Sequence, residues 1–314
     1  MMDKLAIGVD LGGTKIATAL VQENGTVLQA DKINTNPEDG QEDVLKRIVE
    51  QINKLIRTTD RPVSGIGIGS PGFIKYASGM VRHAVNLGWY DVPLTAEIKK
   101  RLDCQMPVHL LVDTNASALG ELYFGAGKAY KDFIYVSIGT GLGAGVVVNR
   151  QLVLGKNGLV GFIGHYALDP MGALCSCGLR DCPEMIVSGP GLVNMVTGKL
   201  EAGAQSSYFE YHESIDSHLI IHALQQNDPV AVVVFEQMVD VLADVLASGI
   251  TWLNPEALII GGGIGLASLN VLRPLLTQKL KQRLHTYQME DLEIVPSLLT
   301  SSAVGAACLV FHST

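Results

Sequence analysis

Four residues in one short stretch carry the ligand set of a metal site. His165, Cys175, Cys177 and Cys182 fall within eighteen residues, in a chain that has five cysteines in all. One imidazole and three thiolates at such spacing suit a closed, tetrahedral Zn²⁺. Soft sulfur with a single histidine favours zinc over magnesium or calcium. With no open coordination position the metal would be structural, stapling its loop and holding His165 in one tautomer and orientation. The competing uses of these thiols are a disulfide or burial as free thiols. A disulfide needs an oxidising compartment, and no leader-like segment is read at the N-terminus. Cys104 and Cys308 lie in apolar surroundings and are expected in the core.

Three glycine turns offer a second kind of chemistry. DLGGTK (Asp10 to Lys15), IGTGLG (Ile138 to Gly143) and IGGGI (Ile260 to Ile264) each follow an apolar run. Without a Cβ, glycine lets backbone N–H groups approach a phosphate closely. One such turn is most often only a tight turn. Three in one chain, with Thr14 and Thr140 as hydroxyl donors, point to a nucleotide, although none matches the Walker or dinucleotide pattern. Asp10 adds a carboxylate able to hold Mg²⁺ through water, as magnesium commonly is when it is shared with substrate phosphates.

Two further carboxylates are candidates. Asp113, in LLVDTNAS, stands where a strand passes into a helix; it would point into a cleft or simply cap the helix. Glu184 follows Cys182 and Pro183, so it is either a surface glutamate or a binding group on a metal-fixed platform.

The elements that must position these groups alternate between strand and helix, an α/β pattern. LAIGVDLGGTKIATALV reads as two strands, and Asn24-Gly25 is a hairpin signal leading into a third. Val44, Ile48, Ile52 and Leu55 have helical spacing between Asp39 and Arg57. A short buried strand, VSGIGIGSPG, and the strand–helix unit around Asp113 follow. FIYVSIGTGLGAGVVVNRQLVLG then repeats the opening pattern, suggesting two related halves. Asp228-Pro229 starts a long buried helix toward Leu253. ALIIGGGI is another strand, SSAVGAACLVF a final helix, and Ala202 to Ser217 is expected to be irregular.

Composition narrows the class. At 314 residues the chain suggests two domains. Hydrophobic content of 47% against 17% charged residues describes a well-buried fold, not a disordered one. A net charge of −8 argues against a nucleic-acid footprint, which needs clustered Lys and Arg. No window approaches the length of a membrane span. The expectation is a cytoplasmic protein.

DLGGTK, GSPG, NLGW, D-x-N-A-x-A-L-G-E, IGTGLGAG, the GH-x9-C-x-C-x4-C-x-E array and NPEALIIGGG occur in the order seen in the ROK family, and the chain resembles that family over nearly its whole length. The family joins sugar kinases with related repressors. The resemblance implies a two-domain actin/hexokinase-like ATPase fold (a duplicated ribonuclease H-like fold) with a ligand cleft between domains. The expected domains are 1–118, small, and 119–299, large and carrying the zinc loop, with a C-terminal helix at about 300–314 packing back on the first. Repressors of the family carry an N-terminal DNA-binding helical domain. This sequence opens on the first phosphate strand, which points to the kinase branch, and relatives are commonly homodimers or homotetramers.

Carried over residue by residue, the resemblance implies these roles. Asp10, Gly12, Gly13, Thr14 and Lys15 with Gly139, Thr140, Gly141 and Gly143 would wrap the phosphates of ATP, and Gly261, Gly262 and Gly263 would lie near the adenosine. Asp113 would be the general base that takes the proton of the attacking sugar hydroxyl. Gly72, Asn86, Asp113, His165 and Glu184 would line the sugar pocket, with His165 using its second ring nitrogen for a sugar hydroxyl. Phosphoryl transfer asks mainly for positioning and charge stabilisation, so one carboxylate, Mg²⁺ and phosphate loops suffice.

Two sugar-facing positions depart from the family. Val112 stands where an Asn is usual, and Phe162 where a Glu is usual; Asp181 replaces a usual Gly before Cys182. Losing one neutral and one charged hydrogen bond would weaken an ordinary hexose by ~2–4.5 kcal/mol, roughly 30- to 2,000-fold. The readings are a kinase for a deoxy or substituted sugar, a glucose or N-acetylhexosamine kinase with reduced affinity, or a sugar or nucleotide sensor without turnover. Intact phosphate loops and Asp113 favour an active kinase; glucokinase-like is its nominal label, as the commonest assignment for such a chain, and the sugar is open.

Overall fold

The computed structural model describes residues 3–212, 214–299 and 301–312. The parts of the expected domains and terminal helix at residues 1, 2, 300, 313 and 314 lie outside the described residues, as does residue 213 in the expected irregular stretch. In chain order the elements are β1 (Leu5–Leu11), β2 (Lys15–Gln22), β3 (Val27–Asn34), α1 (Gln41–Ile56), β4 (Val63–Ser70), β5 (Phe73–Lys75), β6 (Met80–Ala84), β7 (Trp89–Val92), α2 (Leu94–Arg101), β8 (Val108–Val112) and α3 (Asp113–Phe124). There follow β9 (Phe133–Ile138), β10 (Leu142–Val148), β11 (Gln151–Leu152), α4 (Gly189–Glu201), α5 (Ser217–Gln225), α6 (Pro229–Leu253) and β12 (Ala257–Gly261). The chain ends with α7 (Gly263–Ala267), α8 (Leu269–Lys281), α9 (Thr286–Met289), β13 (Glu293–Pro296) and α10 (Ser302–Phe311).

Two five-stranded sheets repeat one plan. The first has the order β3-β2-β1-β4-β8, and the second β11-β10-β9-β12-β13. In the first, β1, β2 and β3 are antiparallel neighbours while β1, β4 and β8 run parallel. In the second, β10 and β11 are antiparallel while β9, β12 and β13 run parallel. The expected repeat is therefore present at the level of topology. The chain forms two compact units, residues 1–131 with 145–161 and 298–314, and residues 132–144 with 162–297.

In the first unit, α10 lies on β1 and β4 and against α3. Glycines make that approach possible. A Cβ at Gly8 or Gly67 would sit 1.8 Å from the carbonyl oxygen of Ala303 or Ala306, so the helix backbone rests directly on the strands. Gly65 and Gly69 face Val310 and α3 in the same way, while Ile66 and Ile68 on the alternate face are fully buried. The VSGIGIGS run is thus a strand with one helix-bearing glycine face and one isoleucine face. Helix α1 buries Val44, Ile48, Ile52 and Leu55, the four residues whose spacing predicts it. Glu121 is fully buried near the end of α3 and accepts backbone N–H groups of Ala126, Leu298 and Leu299, which anchors the chain where it re-enters this unit.

The second unit is built around α6. Asp228 caps it by accepting from the amides of Val230 and Ala231, and Asn254 ends it in the left-handed conformation. Its buried residues pack with those of α4, α5, α8, β9 and β12 in one core. No helix or strand lies between Glu201 and Ser217 among the described residues, as expected. Cys308 is fully buried in α10, but Cys104 is only half-buried in the loop after α2, a correction to its expected core position. The short sheet β5-β6-β7 was not anticipated, because its strands have three to five residues and no clean alternation. No described helix is long and apolar enough to cross a membrane.

Candidate functional site

The parallel strands of each unit end on one edge, where ligands of open α/β sheets commonly bind. In the first unit Asp10, next to last in β1, is paired with Gly69 of β4, and Gly69 is paired with Leu111 of β8. Asp113 follows two residues later and opens α3, and an ideal Cβ on Gly69 would be 3.3 Å from the Asp113 Cα. Val112, buried, is the N-cap of that helix, so Asp113 is its first residue and not its cap. The Asp113 carboxylate accepts from the Thr114 amide at 2.7 Å. Asp10 accepts from the Ser302 hydroxyl at the start of α10. Burial pushes the Asp10 carboxyl above its ordinary value, outweighing the lowering effects of Ser302 and Lys32.

The turn between β1 and β2 is braced from outside. Gly12 donates to the Lys15 carbonyl at 2.9 Å, and Thr35 grips the turn twice. Its hydroxyl donates to the Gly12 carbonyl at 2.6 Å, and its amide to the Thr14 carbonyl at 2.9 Å. Thr14 and Lys15 are exposed. A Cβ on Gly13 would meet that of Asn86 at 2.8 Å, which sets Asn86 beside the turn. Gly72 has φ +92°, and a Cβ there would strike the His83 carbonyl, so glycine is required at the end of the GSPG turn. The first unit therefore gathers Asp10, Gly12, Gly13, Gly72, Asn86 and Asp113 along one edge of its sheet.

In the second unit β9 and β12 are parallel neighbours, Gly261 opposite Ser137, so IGTGLG and IGGGI leave adjacent strand ends. Gly262 has φ +78° and abuts the Ile138 carbonyl. The turn is held by Gly139 donating to the Gly141 carbonyl at 3.0 Å and by Gly189 donating to the Gly139 carbonyl at 2.8 Å. Nothing crowds a Cβ at Gly263, and Gly139 meets only the Gly263 amide, at 3.8 Å; Thr140 is exposed and Gly143 half-buried. Gly141 differs: a Cβ there would lie 2.4 Å from Oε2 of Glu184, which accepts from the Leu142 amide at 2.9 Å.

His165, Cys175, Cys177 and Cys182 converge, each offering a ligand atom within 4.8 Å of the others. The sulfurs of Cys177 and Cys182 are 3.6 Å apart, and all three cysteines are free thiols, so they form no disulfide. Burial, then the neighbouring Cys177 and Cys175, pushes the Cys182 thiol well up. Nδ1 of His165 is buried without a hydrogen-bond partner, whereas Nε2 faces Oε1 of Glu184 at 3.5 Å. A buried lone nitrogen and three crowded sulfurs fit Zn²⁺, with Nδ1 as the ligand atom. Asp181 sits at φ +48°, which explains why a glycine suits the position and why Asp, tolerant of that region, can replace it.

Sequence reasoning missed Ser302, Thr35 and the Leu142 amide. Each acts through folding contacts far along the chain, with no local spacing to reveal it.

Two five-stranded sheets of like topology, with glycine turns at the ends of their parallel strands, make this an actin/hexokinase-like ATPase fold. Residues 6–313 match the ROK family. A glucokinase of Thermotoga maritima is 35% identical over 318 residues, covering 97% of this chain and 96% of that protein. A ROK family glucokinase from Streptomyces griseus, solved in complex with glucose and AMPPNP, superposes with a TM-score of 0.83 at 32% identity, covering 97% of this chain and 98% of that one. A ROK family transcriptional regulator, a homolog of the Escherichia coli MLC protein, superposes with a TM-score of 0.86 at 30% identity, covering 98% of this chain and 78% of that one. The chain belongs to the ROK family.

Proposed function

We propose that this chain transfers the γ-phosphoryl group of ATP to a hydroxyl of a hexose-class sugar, with Asp113 as general base. The observation that carries the reading is the shared strand edge of the first unit, where Asp10, the Gly12-Gly13 turn and Asp113 stand together. The similarity to glucokinases over nearly the whole chain supports it. The chain is on this reading an ATP-dependent sugar kinase.

Asp113 withdraws the proton of the attacking hydroxyl, a contribution of roughly 10²–10⁴ in rate for a well-placed base. Asp10 would hold Mg²⁺, which when bound would supply charge neutralisation for the phosphates. Gly12, Gly13, Thr14, Lys15, Gly139, Thr140, Gly141 and Gly143 are the residues that the family resemblance assigns to the phosphates, and Gly261, Gly262 and Gly263 those it assigns to the adenosine. Gly72, Asn86, Asp113, His165 and Glu184 are the residues that the family resemblance assigns to the sugar. His165 Nδ1 and the thiolates of Cys175, Cys177 and Cys182 would hold a structural Zn²⁺, which would fix the imidazole. We also infer a cytoplasmic homodimer or homotetramer.

A second reading is a sugar or nucleotide sensor with little turnover. The apolar Val112 and Phe162 at sugar-facing positions favour it, together with the likeness to a transcriptional regulator. A coupled ADP-release screen over a sugar panel, with calorimetry on the same panel, separates the two. Turnover with any sugar supports the kinase; binding without ADP release across the panel overturns it.

A further inference from the structure

Glu184 touches two parts of the second unit that have separate tasks. Its Oε2 accepts from the Leu142 amide at 2.9 Å, at the first residue of β10 where the turn from β9 closes, and its Oε1 lies 3.5 Å from Nε2 of His165. Its own amide donates to the Gly164 carbonyl at 3.1 Å, so its backbone is tied to the residue preceding His165. The glycines around it leave room for this seat. A Cβ on Gly141 would fall 2.4 Å from the Glu184 carboxylate, and one on Gly164 would fall 2.4 Å from the Leu142 carbonyl and 3.3 Å from the Glu184 Cβ. Turn 138–143 and the metal-ligating loop are thereby in direct packing contact, with one half-buried carboxylate bonded into the turn.

A carboxylate bound to a backbone amide is a charge-assisted contact, among the stronger hydrogen bonds. With Nδ1 given to the metal, Nε2 carries the ring proton and is turned toward Oε1. Displacing the metal would free the imidazole and loosen the segment on which Glu184 rests, and the Leu142 amide would then lose a fixed acceptor.

We propose that Glu184 is a positioning residue that couples the metal-ligating loop to the nucleotide turn, so that nucleotide affinity depends on whether zinc is bound. The inference rests on the reading of residues 138–143 as a nucleotide turn. Coupling between two sites is reciprocal: whatever factor zinc gives to nucleotide affinity, nucleotide returns to zinc affinity.

The test uses the zinc-loaded protein without sugar, so that any contact of Glu184 with the sugar does not enter. AMPPNP with Mg²⁺ is titrated calorimetrically into loaded and chelator-stripped protein, and zinc affinity is measured by chelator competition with and without AMPPNP. Wild-type protein should bind AMPPNP roughly 5- to 150-fold more weakly after stripping, the usual range for coupled sites, and AMPPNP should raise zinc affinity by the same factor. Glu184→Ala should keep its zinc yet lose both effects. Glu184→Gln, which retains an oxygen for the Leu142 amide, should keep most of the coupling. Where stripping unfolds the chain, AMPPNP raises zinc affinity through folding alone, and the coupling is then read as the difference in that rise between wild type and Glu184→Ala. Wild-type binding of AMPPNP that ignores zinc, or coupling that survives in Glu184→Ala, would overturn the inference alone. No AMPPNP binding by wild-type protein would overturn the nucleotide reading and the inference with it.

Discussion

Ser302 donates its hydroxyl to the carboxylate of Asp10, joining the first residue of α10 to the end of β1 across 292 positions of sequence. The contact stabilises an ionised carboxylate in a place where burial disfavours one, and burial prevails.

That balance sets a pH dependence. With its folded value raised above 3.8, Asp10 has a pH window, between its unfolded and folded values, in which the folded protein holds a proton that the unfolded chain has lost. Its contribution to stability therefore declines as pH rises through the window between the two values. Asp10→Asn should raise the melting temperature of the nucleotide-free protein at neutral pH. It should also cut turnover by roughly 10²–10³, the loss of several kcal/mol of metal-dependent stabilisation. A melting curve and an ADP-release assay on the same preparation check both signs.

Asp113→Asn keeps an oxygen for the Thr114 amide, so the start of α3 should survive. The expected result is a fall in kcat of roughly 10²–10⁴ with little change in KM. Near-normal turnover would remove Asp113 from the mechanism.

On the proposed reading Val112 and Phe162 face the sugar, and the two departures then predict a gain of function. Val112→Asn with Phe162→Glu should raise kcat/KM for glucose or an N-acetylhexosamine by roughly 30- to 2,000-fold, from one neutral and one charged hydrogen bond. Val112 is 7% exposed, so Asn there carries a desolvation cost of about 1–3 kcal/mol until a sugar pairs with it. The double variant should accordingly melt below wild type, with sugar restoring part of the difference.

Elemental analysis should find about one zinc per chain. Cys177→Ser should lose it and lower the melting temperature by ~5 °C or more, on the order of 2 kcal/mol for a chain of this size. Full zinc retention in that variant would reassign the ligand set.

Much of the architecture was legible. Asn24-Gly25 announced the β2–β3 hairpin, Asp228-Pro229 the start of α6, and the period of Val44, Ile48, Ile52 and Leu55 the helix α1. Each is a signal written into a few neighbouring residues. Others were silent or misleading. Pro274 lies inside α8, where helical period would be doubted, and β13 has four residues with no alternation to read. The Gly65, Gly67 and Gly69 run could be read as a buried strand, but not as the seat of α10 and α3, because glycine does not name its partner.

What the sequence determined by itself was the kind of chemistry: three thiols and an imidazole at metal-binding spacing, glycine turns after apolar strands, and an aspartate at a strand–helix junction. Spacing suffices there, because a ligand loop or a phosphate turn is closed by residues close along the chain. Which groups brace one another was decided only by the tertiary structure, which sets Ser302 on Asp10, Thr35 around the Gly12 turn and Glu184 between His165 and Leu142. The reason is geometric. A hydrogen bond depends on distances of about 3 Å, and those between remote residues are created by helices and strands packing together, not by any local pattern.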